Sequence, residues 1–247
     1  MTVRPIRDLL IVPGSPRLVI ACDSVGGIGP RPADVVPVPG DVVAHFAARV
    51  PLLEVLCSGA RPIALINTLC HDLAAAQPFI DTFRQVAAEV GIASEAVTGS
   101  TEENVPSPAT GVGVTVIGAE EQPLIAGGGR DGDVVVCVGW PRSAPGDQLY
   151  IGHPDIVPLD TVKDLVDSGL VHDALPVGSR GVSYETGQLA HSAGLSVDWL
   201  SHPLPSDASG GPATCVLLVC DPGDEPALHA HLPERLPWHR IATLVAP

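Results

Sequence analysis

Aromatic side chains are scarce: Phe, Trp and Tyr make up 3% of 247 residues. That leaves few platforms on which the bases of a single-stranded nucleic acid could stack. Basic residues are scarce too, 13 against 28 acidic ones, for a formal net charge of −15. An acidic surface argues against broad binding to nucleic acid or to an anionic membrane. It leaves open a nucleotide held by backbone N–H groups and metal ions. No CxxC pair occurs among Cys22, Cys57, Cys70, Cys137, Cys215 and Cys220. Most of these lie in apolar runs, which reads as buried, reduced thiols. No apolar run is long enough to span a bilayer, and no apolar signal core follows the first five residues, so a soluble cytoplasmic protein is expected. HExxH and GxSxG are both missing, which removes the motif support for zinc-protease and serine-hydrolase chemistry.

What is present is a chain 45% hydrophobic, enough for one large domain or two modest ones. The informative stretch is 18–69. Leu18 to Ala21 reads as a strand that runs into Cys22-Asp23-Ser24 and a glycine-rich turn, Gly26-Gly27-Ile28-Gly29-Pro30. Asp41 to Cys57 reads as a helix, with Val42, Phe46, Val50, Leu53 and Leu56 at helical spacing and a kink expected at Pro51. Ile63 to Leu69 reads as a buried strand. The unit sets a carboxylate at a strand end (Asp23), a pliable loop beside it and a second carboxylate (Glu54) on an otherwise apolar helix. Strand ends and the loops after them are where α/β proteins place ligands. An isolated carboxylate on an apolar helix is costly unless paired or metal-bound. The plain alternatives are a capping Asp at an ordinary turn and a Glu facing water.

Farther along, further strands are expected at 8–12, 35–38, 111–117, 133–138, 214–220 and 240–245. Helices are expected at 78–90, 159–168, 183–193 and 225–232. The segments 97–106 and 172–181 read as loops. The first is oxygen-rich, with Ser100, Thr101, Glu102, Glu103 and Asn104, a composition suited to Mg²⁺ or to a plain solvated turn. The Pro/Gly/Ser-rich stretch 140–152 reads as the boundary between domains 1–140 and 150–247.

These segments resemble the aminoimidazole ribonucleotide synthetase (PurM-like) superfamily, which includes thiamine-monophosphate kinase, selenophosphate synthetase and a hydrogenase-maturation dehydratase. The resemblance rests on Cys22-Asp23-Ser24, on Leu53-Glu54 with Gly59-Ala60-Arg61-Pro62, on Gly99-Ser100-Thr101-Glu102, and on His172-Asp173 through Arg180-Gly181. Within it the chain is most similar to the α-ribazole kinase group, through 20–29, 65–69, 99–104 and 175–179. The resemblance implies an α/β (α+β) fold, with an N-terminal domain forming a barrel across a homodimer and a smaller C-terminal domain. It implies ATP and Mg²⁺ as cofactors and a small-molecule acceptor. With it, Asp23 and Glu102 are the expected catalytic residues, and Asp23, Glu54 and Glu102 the expected metal ligands. Gly26, Gly27, Gly29, Asn67, Ser100, Thr101 and Asn104 are the expected nucleotide-binding residues. Asp173, Ser179 and Arg180 are expected at the substrate.

Overall fold

The computed structural model describes residues 2–247. Its centre is helix α1 (Gly40–Cys57). Apolar residues cover α1 nearly all round, as in a helix enclosed by its own protein. It runs unbroken through Pro51 rather than breaking there. On one side it packs against strands β3 (Leu18–Gly26), β6 (Arg61–Leu69) and β8 (Gly111–Ala119), and against helix α2 (Leu73–Glu89). On another it meets α3 (Leu159–Asp167) and β10 (Val171–Pro176) of the C-terminal half.

The first sheet has the order β1-β2-β3-β8-β6-β7, with β1 (Arg4–Ile6), β2 (Leu9–Val12) and β7 (Val97–Thr101). All its pairs are antiparallel except β6 with β7. Alternation decides its faces. Val19, Ala21, Val114, Val116, Leu65 and Leu69 turn inward to α1 and α2 and are buried. Leu10, Cys22, Ser24 and Thr68 turn outward and are exposed. The second sheet is antiparallel throughout, in the order β10-β12-β9-β13-β11, with β9 (Val134–Val138), β11 (Ser196–Trp199), β12 (Val216–Cys220) and β13 (Trp238–Val245). Helix α4 (Gly181–Ala193) covers part of it, and a short helix α5 (Glu225–His229) follows β12. The two-residue strands β4 (Ile28–Gly29) and β5 (Val36–Pro37) pair in parallel within the glycine-rich connection. The molecule is thus a mixed α/β structure built on two sheets.

Two segments expected as loops carry strands. Within 97–106, residues Val97–Thr101 pair with β6; they hold only one apolar residue, and the pairing is made by backbone from a partner 32 residues back. Within 172–181, His172 to Pro176 continue β10, where His and Asp broke the apolar pattern. The expected strand at 133–138 is β9, and it sits in the middle of the second sheet. The chain therefore changes sheets across 120–133, ahead of the Pro/Gly/Ser-rich stretch.

Candidate functional site

Asp23 lies on the inward face of β3, two residues before Val25 on the same face. Val25 is one wall of a cleft of about 770 Å³ between the glycine-rich connection and the C-terminal half. Ile28, Val38, Val42 and Phe46 continue that wall; Leu149 and Gly211 face it from the other half. Two residues of strand span about 7 Å, so Asp23 stands about that far from Val25 along β3 and does not itself line the cleft. Burial raises the Asp23 carboxyl above its ordinary range, with the Ser24 N–H opposing.

The glycine-rich connection is anchored rather than loose. Gly27 donates its N–H to the Thr110 carbonyl (2.9 Å), and Val38 donates to the Gly29 carbonyl (3.1 Å). Asp34 accepts from the Thr110 amide and hydroxyl, both at 2.7 Å. Gly29 has a φ of +153°, and a Cβ on it would come within 2.3 Å of the Thr110 hydroxyl. Asn67 is buried and donates from Nδ2 to the Thr98 carbonyl (3.0 Å). A Cβ on Gly99 would strike both the carbonyl and the side chain of Asn67. That close approach explains the glycine.

The register separates residues that the sequence placed together. Asp23 pairs with Val114, Val114 with Asn67, and Asn67 with Gly99. Three strand spacings of about 4.8 Å put Gly99 roughly 14 Å from Asp23, and Glu102 lies three residues farther on. Glu102 spends its carboxylate on the loop itself, accepting from the amides of Asn104 (2.7 Å) and Val105 (3.1 Å). Those two N–H groups hold its carboxyl below the usual range. The Glu103 carboxylate accepts from the Leu73 amide (2.9 Å) and the Thr101 hydroxyl (2.7 Å). Ser100 is exposed on the outer face.

Glu54 turns toward the junction of the two halves, where Asp8, Asp23, Glu185 and Arg7 are its charged neighbours. Burial pushes Glu54 up to about 8, with the three carboxylates adding and Arg7 opposing. Glu185 is pushed up to about 7, again by burial first and Asp8 second. At neutral pH Glu54 therefore offers a proton, not a charge. Among the described residues no group of three or more His, Cys, Asp or Glu is positioned to hold a metal ion. Asp23, Glu54 and Glu102 thus do not fit together as ligands of one resident Mg²⁺.

This arrangement predicts a pH dependence. The folded protein binds the Glu54 proton more tightly than the unfolded chain, whose value is near 4.5. The stabilisation is complete below 4.5 and is lost as pH rises through about 8. Glu54→Gln, neutral at every pH, is expected to unfold at a higher temperature than the parent at pH 8–9 and to match it near pH 5. Identical melting curves across that range would show that Glu54 is ordinarily ionised.

Of the expected substrate residues, Asp173 is fully enclosed and paired with Arg7. Ser179 and Arg180 are exposed at the start of α4, and Arg180 lies over the Tyr184 ring, 3.5 Å from its centroid. The Ser179 amide is next to Gly211 on the far wall of the cleft. Arg7, Arg49 and Glu185 carry no motif, and sequence reading missed all three.

No family model and no curated protein matches the sequence. Solved structures do. Thiamine monophosphate kinase from Aquifex aeolicus matches with a TM-score of 0.69 at 15% identity, over 97% of this chain and 89% of that one. Hydrogenase maturation protein HypE, solved in complex with ATP, matches at 0.67 and 17%, over 93% and 77%. T. maritima PurL, complexed with AMPPCP, matches at 0.64 and 18%, over 98% of this chain and 42% of that one. This chain shares the fold of these structures.

Proposed function

We propose that the chain is an ATP- and Mg²⁺-dependent phosphotransferase of the cytoplasm whose acceptor is α-ribazole, a nucleoside with an apolar benzimidazole base. The observation that carries this reading is a large apolar cleft whose wall includes Val25, two residues along the inward face of β3 from the half-buried Asp23. Pockets of this size and lining suit a flat apolar ring with a few polar groups placed to orient it. The fold adds support, because structures that share it were solved with ATP or AMPPCP. Phosphoryl transfer asks mainly for positioning and charge stabilisation, which anchored loops supply. Mg²⁺ enters here with the nucleotide, as part of the substrate.

The test is release of ADP from ATP by the purified protein, with and without α-ribazole, and identification of the phosphorylated nucleoside. Release that needs α-ribazole supports the reading. Release with an amide or carbonyl acceptor instead would move the chain to ATP-dependent oxygen activation. ATP binding without release under any acceptor would make it a nucleotide-binding protein acting through a partner.

The reading includes a homodimer. The outer face of the first sheet carries Leu10, 47% exposed, with the partly exposed Ile20, Ile66 and Ile117, and no element among the described residues covers it. A self-complementary face of this kind is suited to a two-fold partner. Light scattering at micromolar concentration is expected to give twice the chain mass, and Leu10→Lys with Ile117→Lys to give the monomer. A monomeric parent would remove the dimer from the proposal.

A further inference from the structure

A second cavity, about 400 Å³, lies on another side of α1, where the helix meets the 150–160 segment and the 233–236 turn. Arg49 forms part of its wall and is only 2% exposed. Its Nε donates to the Ala213 carbonyl (3.0 Å) and its Nη2 to the Val157 carbonyl. No carboxylate pairs with it among the described residues, and Nη1 has no protein acceptor there. Burial lowers Arg49 only to about 10, so it is charged at neutral pH. His45 lines the same cavity and is pushed down to about 4, by burial first and Arg49 second, so it is neutral. Glu89 and Asp160 also line it; Glu89 and Arg49 favour each other's charged form, but neither carboxylate reaches Arg49 as an ion pair.

An enclosed guanidinium without a hydrogen-bonded counter-charge is costly to keep. Here the cost falls on a residue that opens onto a cavity rather than onto packed side chains. The remaining wall is largely apolar, with Phe46, Ile156 and Leu236, and the mouth carries Tyr150 and Ile151, 48% and 47% exposed. We propose that this cavity binds a small organic anion, its carboxylate or phosphate-monoester head on Arg49 and its apolar body against Ile156 and Leu236. The site is distinct from the cleft beside Asp23 and does not depend on the activity assigned to that cleft.

The test uses benzoate and phenyl phosphate as probes, with benzyl alcohol as the neutral control, on the full chain. Calorimetry and thermal shift are expected to detect one or both anions and not the alcohol, and the better anion names the head group. Arg49→Met is expected to weaken that binding roughly tenfold or more, the loss of a charge-assisted hydrogen bond. Leu236→Trp fills the cavity while keeping Arg49, and is expected to abolish binding in a folded protein. Should Arg49→Met fail to fold, Leu236→Trp decides alone. Binding of neither anion, equal binding of the alcohol, or full binding by Leu236→Trp would each overturn the site and leave Arg49 as a staple between two carbonyls.

Discussion

Arg7→Met is expected to destabilise the protein by about 3–5 kcal/mol at neutral pH, the usual consequence of removing one partner of a buried ion pair. The two side chains are 5% and 0% exposed. Arg7 Nη1 donates to Asp173 Oδ1 at 3.0 Å and to the Ala174 carbonyl at 3.2 Å, and Nη2 donates to Asp173 Oδ2. Nε and Nη2 both reach the Ser192 hydroxyl. One guanidinium thus ties the β1–β2 turn to β10 and α4. It does so from a left-handed backbone, φ +52°, which for a residue other than glycine costs about 1–3 kcal/mol. The contacts of the side chain offset that strain, and the variant keeps the strain without them. Burial already raises the Asp173 carboxyl, and only Arg7 and two backbone N–H groups oppose it. In the variant its folded value rises further above the unfolded one. Stability lost at neutral pH is therefore recovered on acidification, once the carboxyl is protonated in both states. Urea unfolding at pH 7 and pH 5 reads both effects, and Arg7→Met with Asp173→Asn is expected to be more stable at pH 7 than Arg7→Met alone. A single variant within about 0.5 kcal/mol of the parent, the range of ordinary surface changes, would show that the pair adds nothing.

That pair also shows where sequence reading stops. The α1 helix and the strands β3, β6 and β8 were legible because each is an apolar run with Gly or Pro at or near at least one end, with a period that its own residues display. Asp23 was legible for the same reason, as a charge at the end of such a run. Strand β10 was not, since His172 and Asp173 interrupt it, and Asp173 is tolerable inside only because Arg7 arrives from 166 residues away. Strand β7 exists through backbone pairing with β6, and Val-Thr-Gly-Ser-Thr carries almost no apolar signature. Asp23 and Glu54 do come near each other, but Glu102 stands apart for a related reason. Spacing along the chain says nothing of how many strands lie between two of them, and β8 and β6 stand between β3 and β7. The resemblance in short motifs did carry the mixed α/β fold that the solved neighbours share.

Asp23→Asn is expected to reduce phosphoryl transfer by about 10²-fold or more while leaving the fold intact, if the reading of the cleft holds. Asparagine keeps the size of the side chain and removes a half-buried charge, so melting temperature is expected to stay level or rise. The rate falls for a separate reason. Burial lifts the Asp23 carboxyl toward neutrality, where a carboxylate accepts a proton more readily than an ordinary Asp. On the proposed reading, an acceptor whose apolar base lies against Val25 and Phe46 would bring its hydroxyl toward Asp23, two residues farther along β3, which would take the proton. A base of this kind leaves a mark on the pH profile. In the parent, kcat is expected to fall as pH drops through the Asp23 value, at a pH above that of an ordinary Asp. In the variant that acid limb is expected to vanish from the low residual rate. Loss of rate with an unchanged acid limb would assign the limb to another carboxylate and make Asp23 a positioning residue. A variant as fast as the parent would remove Asp23 from the chemistry altogether, and with it the reason to place phosphoryl transfer beside this cleft.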